Sequence, residues 1–101
     1  MNCQISGLTE NEQEYKEEIQ KAIMSKCERI GVLADIIELK AHFKKHHDTG
    51  TKAKHSVKLH LFSNVGDFVA EHTDWEIMNA LHESLRTLET EIKRKKSKLA
   101  D

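Results

Sequence analysis

Three observations predict an α+β fold of order β-α-β-β-β-α, a four-stranded mixed sheet with both helices packed on one face. Two long segments carry apolar residues at helical spacing, and the stretches between them alternate with period two. All four glycines (Gly7, Gly31, Gly50, Gly66) fall at boundaries between these segments, so local and global signals agree. A chain of 101 residues supports one modest core rather than two, so residues 1–101 read as a single domain.

Residues 2–6 form a short strand candidate ended by Gly7. Thr9-Glu10-Asn11-Glu12 is a capping box, in which the Thr hydroxyl and the Glu carboxylate satisfy free helix amides. Tyr15, Ile19, Ile23, Cys27 and Ile30 then recur on one face, which predicts a helix over 10–30 with Gly31 in the left-handed position that ends it. Over 36–46 the period becomes two: Ile37, Leu39, Ala41 and Phe43 face inward, Glu38, Lys40, His42 and Lys44 outward. His47–Thr51 reads as a hairpin loop. Residues 54–62 alternate again, with Val57, Leu59 and Leu61 inward. A turn at Asn64–Asp67 leads to a short strand over 67–72. Thr73-Asp74-Trp75-Glu76 is a second capping box, opening a helix over about 74–98 whose stripe is Ile77, Leu81, Leu85, Leu88 and Ile92.

Hairpin pairing symmetric about 49–51 sets Lys40 opposite His60 and His42 opposite Lys58. Cations facing each other across a ladder repel, and a fold tolerates them better where the face meets an anion. The competing reading is an ordinary solvated sheet face.

Net charge is −1, which excludes a bulk polycation, but the charge is uneven. Residues 39–60 hold six lysines and five histidines against one acid, Asp48. Residues 93–98 add Lys93, Arg94, Lys95, Lys96 and Lys98. The helix dipole explains two or three cations at a helix end, and five point to phosphate contacts. Two concentrated basic stretches suit a polyanion such as RNA.

Other chemistries find little support. Cys3 and Cys27 match no metal-ligand spacing, the histidines lack a helical His-x-x-x-His pattern, and no metal or other cofactor is expected. No nucleophile elbow, phosphate loop or acidic dyad is present, so no catalysis and no small-molecule substrate are expected. Cys27 lies on the apolar stripe and reads as core, and Trp75 reads as a hydrophobic plug at the start of the second helix. No apolar run approaches a membrane span and no signal peptide is visible, which predicts a cytoplasmic chain.

Leu88-Glu89-Thr90-Glu91-Ile92-Lys93-Arg94 resembles the Leu-Glu-x-Gln-Ile/Val-Lys-Arg of the last helix in ribosome hibernation-promoting factors, also called ribosome-associated inhibitor or ribosomal subunit interface proteins. Asp74-x-Glu76-Ile77-x-x-Ala80-Leu81 resembles that family's Asp-x-Asp-Leu-Tyr-x-Ala-Ile-Asp, and Val57-Lys58-Leu59-His60 its Val-x-Leu-His. The order of elements is similar over nearly the whole chain. Met78, His82, Arg86 and Glu91 stand where the family usually has Tyr, Asp, Asp and Gln, so the resemblance is to a divergent member of the short form.

The resemblance implies a single ribosome-binding domain that catalyses nothing. It would occupy the channel of messenger and transfer RNA on the small ribosomal subunit, against its rRNA, as a monomer that inhibits translation under stress. Lys93 and Arg94 match the family's basic positions. The charge map adds Lys40, Lys44, Lys45, Lys52, Lys54, Lys58, Arg86 and Lys96 as RNA-binding candidates. The alternative function is a protein-interaction module of the sigma-factor-modulating type.

Overall fold

The computed structural model describes residues 2–47 and 53–100. Strand β1 (Asn2–Ser6) is followed by a 3₁₀ segment (Glu10–Tyr15), helix α1 (Lys16–Ile30), strands β2 (Ile36–His47), β3 (Ala53–Ser63) and β4 (Gly66–Asp74), and helix α2 (Ile77–Ala100). The sheet order is β1-β2-β3-β4, with β1 parallel to β2 and the other pairs antiparallel. This is the expected β-α-β-β-β-α mixed sheet.

One core joins the layers. Ile19, Ile23, Cys27 and Ile30 of α1 and Ile77, Leu81, Leu85, Leu88 and Ile92 of α2 are buried against Leu39, Ala41, Phe43, Val57, Leu59, Leu61 and Ala70 of the sheet. Both helices therefore cover the same sheet face, and the hydrophobic effect on these stripes holds the layers together. Ser84, wholly buried among them, donates its hydroxyl to the Val57 carbonyl at 3.1 Å. Glu89 clamps the helices together, with Lys26 Nζ at 3.3 Å and Arg29 Nε at 3.5 Å from its carboxylate.

The first capping box forms: a Glu12 carboxylate oxygen accepts from the Thr9 backbone N–H and hydroxyl, each at 2.9 Å. The turn it organises is 3₁₀ rather than α-helical, so the predicted helix over 10–30 divides at Tyr15. Gly31 is right-handed, with φ −60°, not left-handed as expected. Its N–H still bonds the Cys27 carbonyl at 2.7 Å, and the chain coils on until Ala34 N–H meets the Ile30 carbonyl at 3.1 Å, which carries Ala34 into the core.

Ile37 also departs from expectation. The register steps from Ile36 opposite Ser63 to Glu38 opposite Phe62, a β-bulge with one extra residue. Ile37 is consequently turned outward and 61% exposed, while Ile36 packs against the core in its place. The second capping box does not form. The Thr73 hydroxyl is held by Ser56 Oγ at 2.7 Å, and Asp74 Oδ1 instead accepts the Glu76 N–H at 2.9 Å, so α2 starts at Ile77. Of the predicted loop over His47–Thr51, His47 instead ends β2 opposite Ala53, and the rest, with Gly50, lies outside the described residues.

Candidate nucleic-acid interface

The helices occupy one sheet face, so strand alternation assigns each polar residue to the other. Lys40, His42, Lys44 and His46 of β2 and Lys54, Ser56, Lys58 and His60 of β3 point away from the core residues between them. The hairpin register is the one expected, with Lys40 opposite His60 and His42 opposite Lys58. Lys44 lies opposite Ser56 and His46 opposite Lys54.

The face is less cationic than the β2–β3 sequence alone implies, because β4 brings acids to it. Glu71 lies opposite Lys58 and Asp67 opposite Phe62, while Glu38 sits 3.7 Å from Lys40 Nζ. Lys44, Lys54 and Lys58 make no ion pair among the described residues. A cleft of about 160 Å³ opens between the strands, lined by His42, Lys44, His46, Ser56, Lys58 and Glu71. Hydrogen bonds set its walls: Ser6 Oγ to His42 Nδ1 at 2.9 Å, and His46 Nε2 to Ser56 Oγ at 3.0 Å.

Two aromatic rings share this face. Trp75 lies just past β4, in the bend before α2, at the edge of this face; it is 50% exposed, not the buried plug expected, and also lines a cleft with Tyr15, His55 and Met78. Lys54 Nζ stands 5.0 Å from the centroid of its ring. Near the far end of β3, Phe62 stacks on His60 with centroids 4.0 Å apart and planes 19° from parallel, and Lys40 Nζ lies 5.7 Å from the Phe62 ring.

Three candidates fall elsewhere. Lys45 has the parity of Phe43 and lies opposite His55, on the helix side, where its charge acts on Glu12. Arg86 is on the exposed side of α2 and pairs with Glu83 one turn back. Lys52 lies outside the described residues.

Lys93, Arg94 and Lys96 form a separate surface. Among the described side chains of α2 the last buried one is Ile92, and residues 93–98 are all exposed. The reason is geometric. α2 returns along β4, which is about 26 Å long at ~3.3 Å per residue, and a helix rising ~1.5 Å per residue covers that length in about 17 residues. The helix therefore outruns the sheet close to Arg94. Arg94 has Glu91 at 3.5 Å, and Lys93 helps hold the Glu89 carboxyl low. The structure thus makes two basic surfaces, one on the outer sheet face and one on a projecting helix end, in different layers.

Cys27 is buried, and burial together with the nearby Cys3 thiol pushes its thiol up to about 11, which suits a core residue. Among the described residues no group of three or more metal-ligating side chains converges. No described helix is long and apolar enough to cross a membrane.

The fold defined by these layers, a parallel β1–β2 pair continued by an antiparallel meander under two helices, is one that solved proteins share. A ribosomal subunit interface protein from Coxiella burnetii superposes with a TM-score of 0.63 over 96% of this chain and 99% of that one, at 17% identity. The N-terminal domain of Protein Y from Thermus thermophilus superposes with a TM-score of 0.58 over 93% and 98%, at 22% identity. No family model matches the sequence. No curated protein matches it either.

Proposed function

We propose that this chain is a non-catalytic ribosome-binding protein of the hibernation-factor type. It would lodge on the small subunit in the path of messenger and transfer RNA and block translation while it is there. The observation that carries this reading is the end-to-end likeness to a ribosomal subunit interface protein, which leaves almost no part of either chain unmatched. The Leu88–Arg94 motif of the last helix agrees with it, since Lys93 and Arg94 fall on the stretch where the helix has left its own core.

The mechanism is that of a rigid wedge. The buried core fixes the relative positions of the two basic surfaces, so their spacing selects a phosphate arrangement by shape rather than by base sequence. Each phosphate neutralised by a lysine or arginine releases counterions, which supplies affinity and makes it fall with salt. Lys40, Lys44, Lys54 and Lys58 act from the sheet, and Lys93, Arg94 and Lys96 from the helix. Lys45 and Arg86, turned toward acids of their own, contribute less.

A second reading, a regulatory module for a protein partner, draws on one feature: an apolar cleft of about 260 Å³ beside Met24, Cys27, Gly31, Ala34 and Ile36. Sedimentation with purified ribosomes through sucrose at low and moderate salt separates the two. Comigration with the small subunit that weakens as salt rises supports ribosome binding. A protein that stays at the top of both gradients overturns it and favours the protein partner.

A further inference from the structure

We infer that the outer sheet face binds single-stranded RNA by stacking unpaired bases on Trp75 and on the Phe62–His60 pair, with lysines between them meeting the phosphates. The inference deepens the ribosome-binding reading: it rests on that reading for the choice of RNA and adds the kind of RNA and the groups that hold it.

An exposed ring such as Trp75, or a half-buried one such as Phe62, taken singly needs no explanation. Here their placement does. Phe62 lies on the face that the helices leave bare and Trp75 at its edge, in the turn between β4 and α2, where the ring also lines a cleft with Tyr15, His55 and Met78; each has a cation at its ring, Lys54 at 5.0 Å from Trp75 and Lys40 at 5.7 Å from Phe62. Aromatic platforms alongside cations are how proteins hold single strands without reading sequence, because every base has a π-face and every nucleotide a phosphate. Burial does not account for the Trp75 indole, half of whose surface is exposed. Val69, directly opposite His60, is 51% exposed and adds apolar surface beside the stack.

The spacing suits an extended strand. From Lys54, beside Trp75, to Phe62 is about 26 Å along β3 at ~3.3 Å per residue, room for several nucleotides. Lys44 and Lys58 stand between, at the cleft that His42, His46 and Ser56 also line. Duplex RNA would not use these rings, since its bases are stacked on one another. The acids Glu71 and Asp67 along β4, and Glu38 beside Lys40 on β2, restrict the uncompensated cationic track to Lys44, Lys54 and the β3 side of the cleft.

Trp75 is the single tryptophan, so its fluorescence reports the proposed stacking directly. The test titrates the full chain at low salt with a 12-nucleotide single-stranded RNA, the same RNA as a duplex, and inorganic polyphosphate. The expected result is quenching by the single strand, and little by the duplex or by polyphosphate. Trp75→Ala should weaken single-strand binding, measured by anisotropy of labelled RNA, by about 5- to 150-fold, with Trp75→Phe recovering much of it. Phe62→Ala should act in the same direction. Equal affinity of wild type and Trp75→Ala, or equal quenching by polyphosphate, overturns the inference. Running both proteins on the ribosome gradients keeps the two failures apart. Ribosome comigration with no single-strand preference removes only the stacking role. Single-strand quenching without comigration retains it and removes the ribosome.

Discussion

His55 Nδ1 lies 2.8 Å from a Glu12 carboxylate oxygen, tying the entry of α1 to β3 where both side chains are largely buried. The other Glu12 oxygen holds Thr9. Burial pushes the Glu12 carboxyl up, but the two Thr9 bonds and the charges of His55 and Lys45 outweigh it and hold it below the usual carboxylate range. The unfolded chain takes up this proton near pH ~4.3, before the folded one does. The stabilisation is therefore complete above that pH and is lost as pH falls through the lower folded value. Urea unfolding should show Glu12→Ala destabilised by about 2–4 kcal/mol at neutral pH, because two Thr9 donors lose their acceptor and His55 loses its ion-pair partner. Glu12→Gln should lose less, and its deficit should narrow below pH ~4. A deficit that stays constant down to pH 3 would show that the charge of Glu12 contributes nothing.

Gly7 and Gly31 should respond differently to the same substitution. Gly7 has φ +87°, and a β-carbon there would collide with the Phe43 carbonyl oxygen, which belongs to the strand beside it. Gly7→Ala should cost about 2–4 kcal/mol, combining left-handed strain with a displaced backbone. Gly31 has helical angles, and its β-carbon would meet the Cys27 carbonyl oxygen at 3.1 Å. Gly31→Ala should fall within about 1 kcal/mol of wild type, since the relief of unfolded-chain entropy offsets a tight approach. Equal losses in thermal melts would contradict this account.

Reversing Lys93, Arg94, Lys95 and Lys96 to glutamate should abolish ribosome sedimentation while leaving the fold intact, because those residues lie beyond the buried stripe of α2. Circular dichroism checks the fold. Milder neutralisation to glutamine should leave measurable binding to single-stranded RNA, with a salt slope shallower by about 0.7 for each phosphate that is no longer neutralised. Full comigration of the reversed variant would remove the helix end from the interface.

Cysteine alkylation should be slow at both thiols at neutral pH and slowest at Cys27. Burial raises both thiols, and Cys27, pushed up to about 11, is also inside the core. Mass spectrometry after a timed iodoacetamide pulse should find Cys3 modified first. Faster labelling of Cys27 would mean that α1 lifts from the sheet more readily than its four buried residues suggest.

The elements were legible because their periods differ and their boundaries are marked. Even the pairing of Lys40 with His60 followed from the loop centre, since a hairpin register is determined once its turn is placed. What could not be read were events that depend on a neighbour in space. Ile37 has the right parity for the core, and only the bulge opposite Ser63 and Phe62 turns it out. Thr73 looks like a cap, but Ser56 across the ladder takes its hydroxyl. The candidate site shows the same division. Parity placed Lys40, Lys44, Lys54 and Lys58 on one face, whereas the acids that temper it arrive from β4, outside the window in which the lysines were counted. Lys45 was gathered with them by proximity in sequence although its parity sends it to the helix side.

The helix that outruns its sheet has a consequence for its own order. From Lys93 to Lys98 no side chain is buried, so tertiary packing adds little to the helical state of this stretch and local helix–coil preferences weigh more. Lys93 with Lys96, Lys95 with Lys98 and Arg94 with Lys98 are like charges at three- and four-residue spacing, each pair opposing the coil-to-helix step by about 0.2–0.5 kcal/mol. The helix dipole offsets part of this, and an external anion removes it. The core sets the direction of this segment, while the surrounding ionic medium tunes how firmly its last turns hold, and a polyanion that meets them stabilises a helix already formed.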